Sequence, residues 1–294
     1  MDPGPAGGSP ASAPPADVAA LADRLRAAGC VFAEEEAALI LDAAATPADV
    51  DALVRRRVAG EPLEHVLGWA EFCGLRVAVG PGVFVPRRRT ELLVREAARL
   101  VQADAGARQV QADGGTHPAA APAPVVVDLC CGTGALGMAL VAAIGGGELH
   151  AVDNDPAAAA CARTNVAAVG GTAYLGDLDA ALPARLRGRV DVLLANVPYV
   201  PTADLRLLPP EARVHEPRAA LDGGADGLDL LRAVAALAPG WLAPGGHLLV
   251  EASEDQRDAA VAVVAGAGLA ATVAEDPERG AVAVVGTAPL RVPR

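Results

Sequence analysis

The chain has 294 residues, with 36 Asp+Glu against 24 Lys+Arg and a net charge of −12. At about 150 residues per domain, that length predicts two domains and a sizeable core. The acidity disfavours a nucleic-acid partner, because binding a phosphate backbone by counterion release needs a basic surface.

The 52% hydrophobic content does not make a membrane span. The uncharged stretch Leu129–Gly147 is interrupted by glycines, and Ala233–Val250 is broken by Pro239 and Pro244. A bilayer needs about 20 consecutive apolar residues. The five cysteines, Cys30, Cys73, Cys130, Cys131 and Cys161, form no CxxC pair. Neither a disulfide framework nor a metal site is expected. Aromatic residues make up only 2% of the chain, so each one in a loop stands out.

Residues 1–16 are Pro, Gly, Ala and Ser with no apolar run. They read as a disordered tail and not as a signal peptide, and a cytoplasmic location is expected. Residues 17–68 read as a helical domain. Val18, Leu21 and Leu25 recur at helical spacing, Glu34–Ala45 is a second helix, and Thr46-Pro47 opens a third as N-cap and N1. Residues 69–86 hold Trp69, Phe72, Leu75, Val77, Val79, Val83 and Val85 between glycines, predicting a linking β-hairpin. Thr90–Ala103 is a helix, and 104–124 is an exposed insertion without periodicity.

From Val125 strands alternate with helices, which predicts a parallel, doubly wound α/β sheet. The strands are Val125–Asp128, Leu149–Asp153, Thr172–Leu175, Val190–Ala195 and His247–Ala252, with helices between them. Ala270–Ala274 and Ala281–Val285 form a terminal hairpin, making the last strand antiparallel.

The first strand runs into Asp128-Leu-Cys130-Cys131-Gly132-Thr133-Gly134, which opens a helix. Glycines there let a ligand approach the backbone closely. Asp153 ends the next strand, where a carboxylate binds ribose hydroxyls. Asp128 opposes a pyrophosphate but welcomes a cationic cofactor, and S-adenosylmethionine carries a sulfonium, an amine and a ribose. Asp177, after the third strand, is placed to accept from an adenine amino group with Leu178 packing on the ring, or to cap a helix. The fourth strand runs into Asn196-Val197-Pro198-Tyr199. The Asn196 oxygen and the Val197 carbonyl are two acceptors for one planar NH₂ group, and Tyr199 stacks on it. The run Arg87–Arg89 reads equally as a contact to a substrate or RNA or as a solvated surface.

These residues resemble the HemK/PrmC-type protein-(glutamine-N5) methyltransferases. The similarity rests on Gly60-Glu-Pro62, Glu71-Phe72, Phe84-Val-Pro86-Arg87, Thr90-Glu91, the Asp128–Gly134 loop, Asp153, Asn196–Tyr199, Glu216-Pro217 and Asp226-Gly227-Leu228. The resemblance implies a seven-stranded, Rossmann-like S-adenosylmethionine domain over 87–294, with the helical domain recognising substrate. It implies methylation of the glutamine of a Gly-Gly-Gln motif in a peptide chain release factor; a monomer is the default expectation. It matches the cofactor loop to Cys130–Gly134, the ribose acid to Asp153, the adenine flank to Leu178 and the amide-holding motif to Asn196, Val197, Pro198 and Tyr199. Three departures from the family stand out: Val197 replaces a proline, Cys130 replaces a glycine, and Arg88-Arg89 stand where a proline and an acid are usual. A nucleic-acid methyltransferase acting on an adenine amine and a non-catalytic cofactor-binding module are the alternatives.

Overall fold

The computed structural model describes residues 16–112 and 122–290. They fall into two compact units, divided between Leu67 and Gly68. The tail assigned to 1–16 lies outside the described residues except for Ala16, which begins a helix.

The first unit contains α1 (Ala16–Ala27), α2 (Ala33–Ala43), α3 (Pro47–Val58) and the short α4 (Leu63–Leu67). Leu21, Leu25, Ile40 and Val54 are buried together as its core. Thr46 caps α3 reciprocally with Asp49, so two backbone donors at the helix start are satisfied. Arg57 on α3 reaches Glu36 on α2 at 2.6 Å.

The second unit begins with β1 (Trp69–Phe72) and β2 (Leu75–Ala78), an antiparallel hairpin. Its two-residue turn, Cys73-Gly74, has φ of 51° and 73°. Positive φ at both positions matches the right-handed twist of the strands. The hairpin is shorter than the predicted 69–86. Gly80, Pro81, Gly82 and Pro86 break the ladder, and Val79, Val83 and Val85 are buried without forming strand.

Next come α5 (Glu91–Ala112), β3 (Val125–Leu129), α6 (Ala135–Ala143), β4 (Glu148–Asp153), α7 (Pro156–Val166) and β5 (Thr172–Leu175). Then β6 (Val190–Ala195), α8 (Pro210–His215), α9 (Asp229–Trp241), β7 (Leu242–Ala252), α10 (Arg257–Gly266), β8 (Ala270–Asp276) and β9 (Ala281–Thr287) follow. Helix α5 runs past Ala103 to Ala112, into the stretch read as an insertion. Alanine and glutamine there suit a helix without an apolar face. Residues 113–121 of that stretch lie outside the described residues. Between β5 and β6 the chain forms only a 3₁₀ turn at Ala184–Leu186, not the expected helix.

The seven-stranded sheet has the order β5-β4-β3-β6-β7-β9-β8. The first five strands are parallel, and β9 runs antiparallel to both β7 and β8. Every residue of β3 is buried, as a central parallel strand covered on both faces requires. Val126 joins one apolar cluster with Leu93 and Leu140, whereas Val127 and Leu129 join the other with Leu231 and Trp241. No helix of the described residues is long and apolar enough to cross a membrane.

Register sets the positions that matter. Leu129 pairs with Val152 on one side and Ala195 on the other, and Ala195 pairs with Val250. One step further along, Asp153, Cys130, Asn196 and Glu251 fall in a single row at the carboxyl ends of four strands. Ligands bind at that edge in open α/β sheets.

Buried Asn165 on α7 ties the hairpin to the loop after β3. Its Oδ1 accepts from Ala78 N at 2.8 Å, and its Nδ2 donates to Ala78 O at 2.9 Å and Thr133 O at 2.8 Å. Asn165→Ala removes the bonds to Ala78 N and Thr133 O and leaves Ala78 O only the Cys161 thiol, and the expected loss of stability is about 1–3 kcal/mol. Urea unfolding of the full chain measures it; an unchanged midpoint would show that the tie is dispensable.

Candidate active site

A cavity of about 560 Å³ opens at the row of strand ends. The loop Cys130–Thr133, Asp153 and the segment Asn196–Tyr199 all line it. The loop is pinned from beneath. Cys131 N donates to Val152 O at 3.1 Å, and Gly134 N donates to Cys131 O at 2.7 Å. Gly132 N donates to Asp153 Oδ2 at 2.8 Å, and Asp155 N donates to Asp153 Oδ1 at 2.9 Å. Both oxygens of Asp153 keep acceptor capacity for a further donor. Burial pushes its carboxyl above the usual range, against the backbone donors that lower it.

Cys130 stands at φ 53°, an uncommon conformation for a side-chain-bearing residue. Burial, followed by the charges of Asp153, Asp128 and Asp177, pushes its thiol up to about 12. Burial raises Cys131 as well. Neither cysteine is poised as a thiolate nucleophile.

Four residues expected at the cofactor do not line the cavity. Gly134 packs the loop on α7 instead. A Cβ there, at φ 74°, would lie 2.8 Å from Val166 Cγ1. Asp128 is fully buried beneath α6, where its Oδ2 accepts from Gly137 N at 2.9 Å and its Oδ1 has no partner. Asp177 is exposed on the turn after β5, which is not a helix cap. Leu178, at φ 45°, packs against the second apolar cluster.

The Asn196–Tyr199 segment is held partly by Glu251 and Gln256, which sequence patterning does not single out. The Tyr199 hydroxyl donates to Glu251 Oε1 at 3.0 Å, and Arg89 Nε donates to the same oxygen at 3.0 Å. Arg89 Nη2 also bonds the Tyr199 hydroxyl, and its guanidinium lies 5.5 Å from the ring centroid. Burial and then the Glu251 charge raise the Tyr199 phenol, keeping it neutral. Gln256 Nε2 donates to Tyr199 O and to Asp226 O, both at 2.9 Å. Gly227 passes so close that a Cβ would lie 2.3 Å from Tyr199 O. Glu216 accepts from Val85 N and from Arg87 Nη2, the latter at 2.6 Å. By contrast, the half-buried Asn196 has no side-chain hydrogen bond to any described residue, so its carboxamide is available to a ligand.

The donor set selects the cofactor class. Asp153 and Asp155 line the cavity beside the loop, and Asp128 lies buried behind it. A pyrophosphate would meet the Asp153 and Asp155 carboxylates, whereas a cofactor with hydroxyls and a positive centre finds acceptors. Asp153, the backbone of Cys130–Thr133 and the polar edge of Asn196 are the groups that fit S-adenosylmethionine.

Fold and site together define an S-adenosylmethionine-dependent methyltransferase of the α/β class, and a methyltransferase small domain model matches residues 116–225. The chain is 41% identical over 201 residues to a release factor glutamine methyltransferase of Geobacter sulfurreducens, covering 68% of this chain and 63% of that one. It is 39% identical to the Streptomyces coelicolor protein of the same name, covering 71% and 70%. It is also 38% identical to the 4-amino-L-phenylalanine/4-methylamino-L-phenylalanine methyltransferase of Streptomyces pristinaespiralis, covering 67% and 63%. The chain belongs to the release factor glutamine methyltransferase family.

Asp128 gives this site a pH signature. Burial pushes its carboxyl up to about 8, against the Gly137 hydrogen bond that lowers it. Between the ordinary carboxylate range near 4 and about 8, the unfolded chain releases a proton that the folded chain retains. Stability from this group is therefore fully present at low pH and is lost as pH rises to about 8. Asp128→Asn removes that slope, so its stability relative to the parent chain rises from pH 4 to pH 8. Urea unfolding across that range checks it; parallel pH profiles would contradict the assignment.

Proposed function

We propose that this chain transfers a methyl group from S-adenosylmethionine to the side-chain amide nitrogen of a glutamine, in the Gly-Gly-Gln motif of a peptide chain release factor. The reading includes a monomer acting in the cytoplasm, with the helical unit contributing to substrate recognition. The observation that carries it is the unused Asn196 carboxamide, in the same cavity as the cofactor loop and beside a fixed tyrosine.

An amide nitrogen is a poor nucleophile, because its lone pair is delocalised into the carbonyl. The bound cofactor supplies an electrophilic methyl on a sulfonium. The Asn196 oxygen and the Val197 carbonyl accept hydrogen bonds from the two N–H groups of the NH₂ and so fix its plane. Tyr199 packs against that plane, immobilised by Glu251 at its hydroxyl and by Gln256 at its carbonyl. Val197 lacks the ring that fixes φ in a proline, but the residue is buried. Burial in the apolar cluster behind β6 supplies part of the constraint. Catalysis is then orientation and electrostatic preorganisation, with proton release from the alkylated, acidic nitrogen.

A second reading has its own support. The Streptomyces pristinaespiralis relative is named for a small amino acid bearing an aromatic amine. Two arginines also line the cavity of this chain. An exocyclic amine in nucleic acid is less favoured, given the net charge of −12.

Asn196→Ala is expected to lower methyl transfer by about 100-fold or more, the scale seen when one preorganised polar contact to a transition state is removed. Cofactor affinity should fall far less than turnover, because Asp153 and the backbone of Cys130–Thr133 remain to hold the cofactor. Transfer of labelled methyl, with calorimetry of S-adenosylhomocysteine binding in parallel, reads both. Full turnover in the variant would remove Asn196 from the reaction.

A further inference from the structure

Two members of the Arg87–Arg89 run enter the cavity, while exposed Arg88 does not line it. Each is fixed by a carboxylate that is itself buried. Arg87 is 2.6 Å from Glu216, whose side chain is 0% exposed, and Arg89 is 3.0 Å from Glu251, at 3%. Aromatic faces hold the guanidiniums from another side, Phe84 at 5.2 Å from Arg87 and Tyr199 at 5.5 Å from Arg89. Despite these restraints the arginine side chains remain 37% and 45% exposed. Their forks are only partly used. Arg89 Nη1 has no hydrogen-bond partner among the described residues, and neither do Nε and Nη1 of Arg87.

Preorganised guanidiniums with unused N–H donors are receptors for planar anions, which they bind with two parallel hydrogen bonds. Arg89 bonds Tyr199, so an anion held there lies alongside the group that Asn196 and Tyr199 receive. The other carboxylates lining the cavity, Asp153, Asp155 and Glu211, oppose a doubly charged phosphate more than a single carboxylate. We propose that Arg87 and Arg89 form a subsite for a carboxylate carried by the methyl acceptor itself. The subsite rests on the reading that Asn196–Tyr199 holds the acceptor. Its carboxylate has two sources, an acidic side chain beside the target glutamine or the α-carboxylate of a free amino acid.

The test measures binding alone, so it is separable from methyl transfer. The full chain, saturated with S-adenosylhomocysteine, is titrated in a calorimeter with two probe pairs. One pair is a capped Gly-Gly-Gln-Glu peptide and its Gly-Gly-Gln-Gln counterpart. The other is 4-amino-L-phenylalanine and its methyl ester. The expected result is that the carboxylate form binds about 10-fold more tightly or better in one pair, as for a charge-assisted hydrogen bond. The pair that shows the preference identifies the source. The preference should vanish in Arg89→Gln and shrink in Arg89→Lys, with S-adenosylhomocysteine affinity unchanged as the check on folding. If Arg89→Gln fails that check, Arg87→Gln takes its place. Equal affinity within both pairs, no binding of any probe, or a preference that survives in the glutamine variant overturns the subsite. A chain that prefers carboxylates yet methylates no acceptor keeps the subsite and refutes the proposed function.

Discussion

The register of the parallel strands is the constraint on which this structure depends. Leu129 is paired on both sides, with Val152 and with Ala195, and Ala195 is paired in turn with Val250. That alignment places Asp153, Cys130, Asn196 and Glu251 in one row, although the chain separates them widely. A slip of one residue in any of these pairings would turn every side chain of that strand to the opposite face. Register is strongly specified here, because both faces of β3 and most of β6 are buried in apolar clusters. The chemistry at the edge is thus positioned by burial deep in the sheet, far from any polar group that takes part.

Around that row a polar frame fixes the Asn196–Tyr199 segment. Glu251 holds the Tyr199 hydroxyl, Gln256 holds its carbonyl, and Gly227 permits the approach of the segment that carries Asp226. The loop backbone is also bonded at Val200, whose N donates to Leu221 O at 3.1 Å and whose O accepts from Gly223 N at 2.8 Å. Asn196 is left without a side-chain partner in the midst of these bonds. Such a distribution fits a half-buried group kept available for a substrate.

Much of this was legible in the sequence, for reasons that differ by element. The strands at the cofactor edge announce themselves as apolar runs that end in Asp or Asn. The Thr46-Pro47 start of α3 was readable because capping is local chemistry. The end of the hairpin was misread, because alternating valines continue past Ala78 while the prolines and glycines among them end the ladder. The length of α5 was missed because Gln- and Ala-rich helix lacks the apolar period that patterning detects. Asp128 illustrates the limit at the site. Its position after a strand suggested a cofactor contact, but whether a carboxylate faces the cavity or the underside of α6 depends on packing. Glu251 and Gln256 had no local signal at all. Their partners lie 52 and 57 residues away along the chain.

The proposed role of the row of strand ends is to carry methyl to a planar nitrogen on a protein glutamine. The most direct measurement incubates the full chain with labelled S-adenosylmethionine and a purified peptide chain release factor, then maps the label by peptide mass spectrometry. The account predicts one methyl group on the glutamine of the Gly-Gly-Gln peptide. Label that appears instead in RNA or DNA, or cofactor binding with no methyl on the release factor, would contradict it.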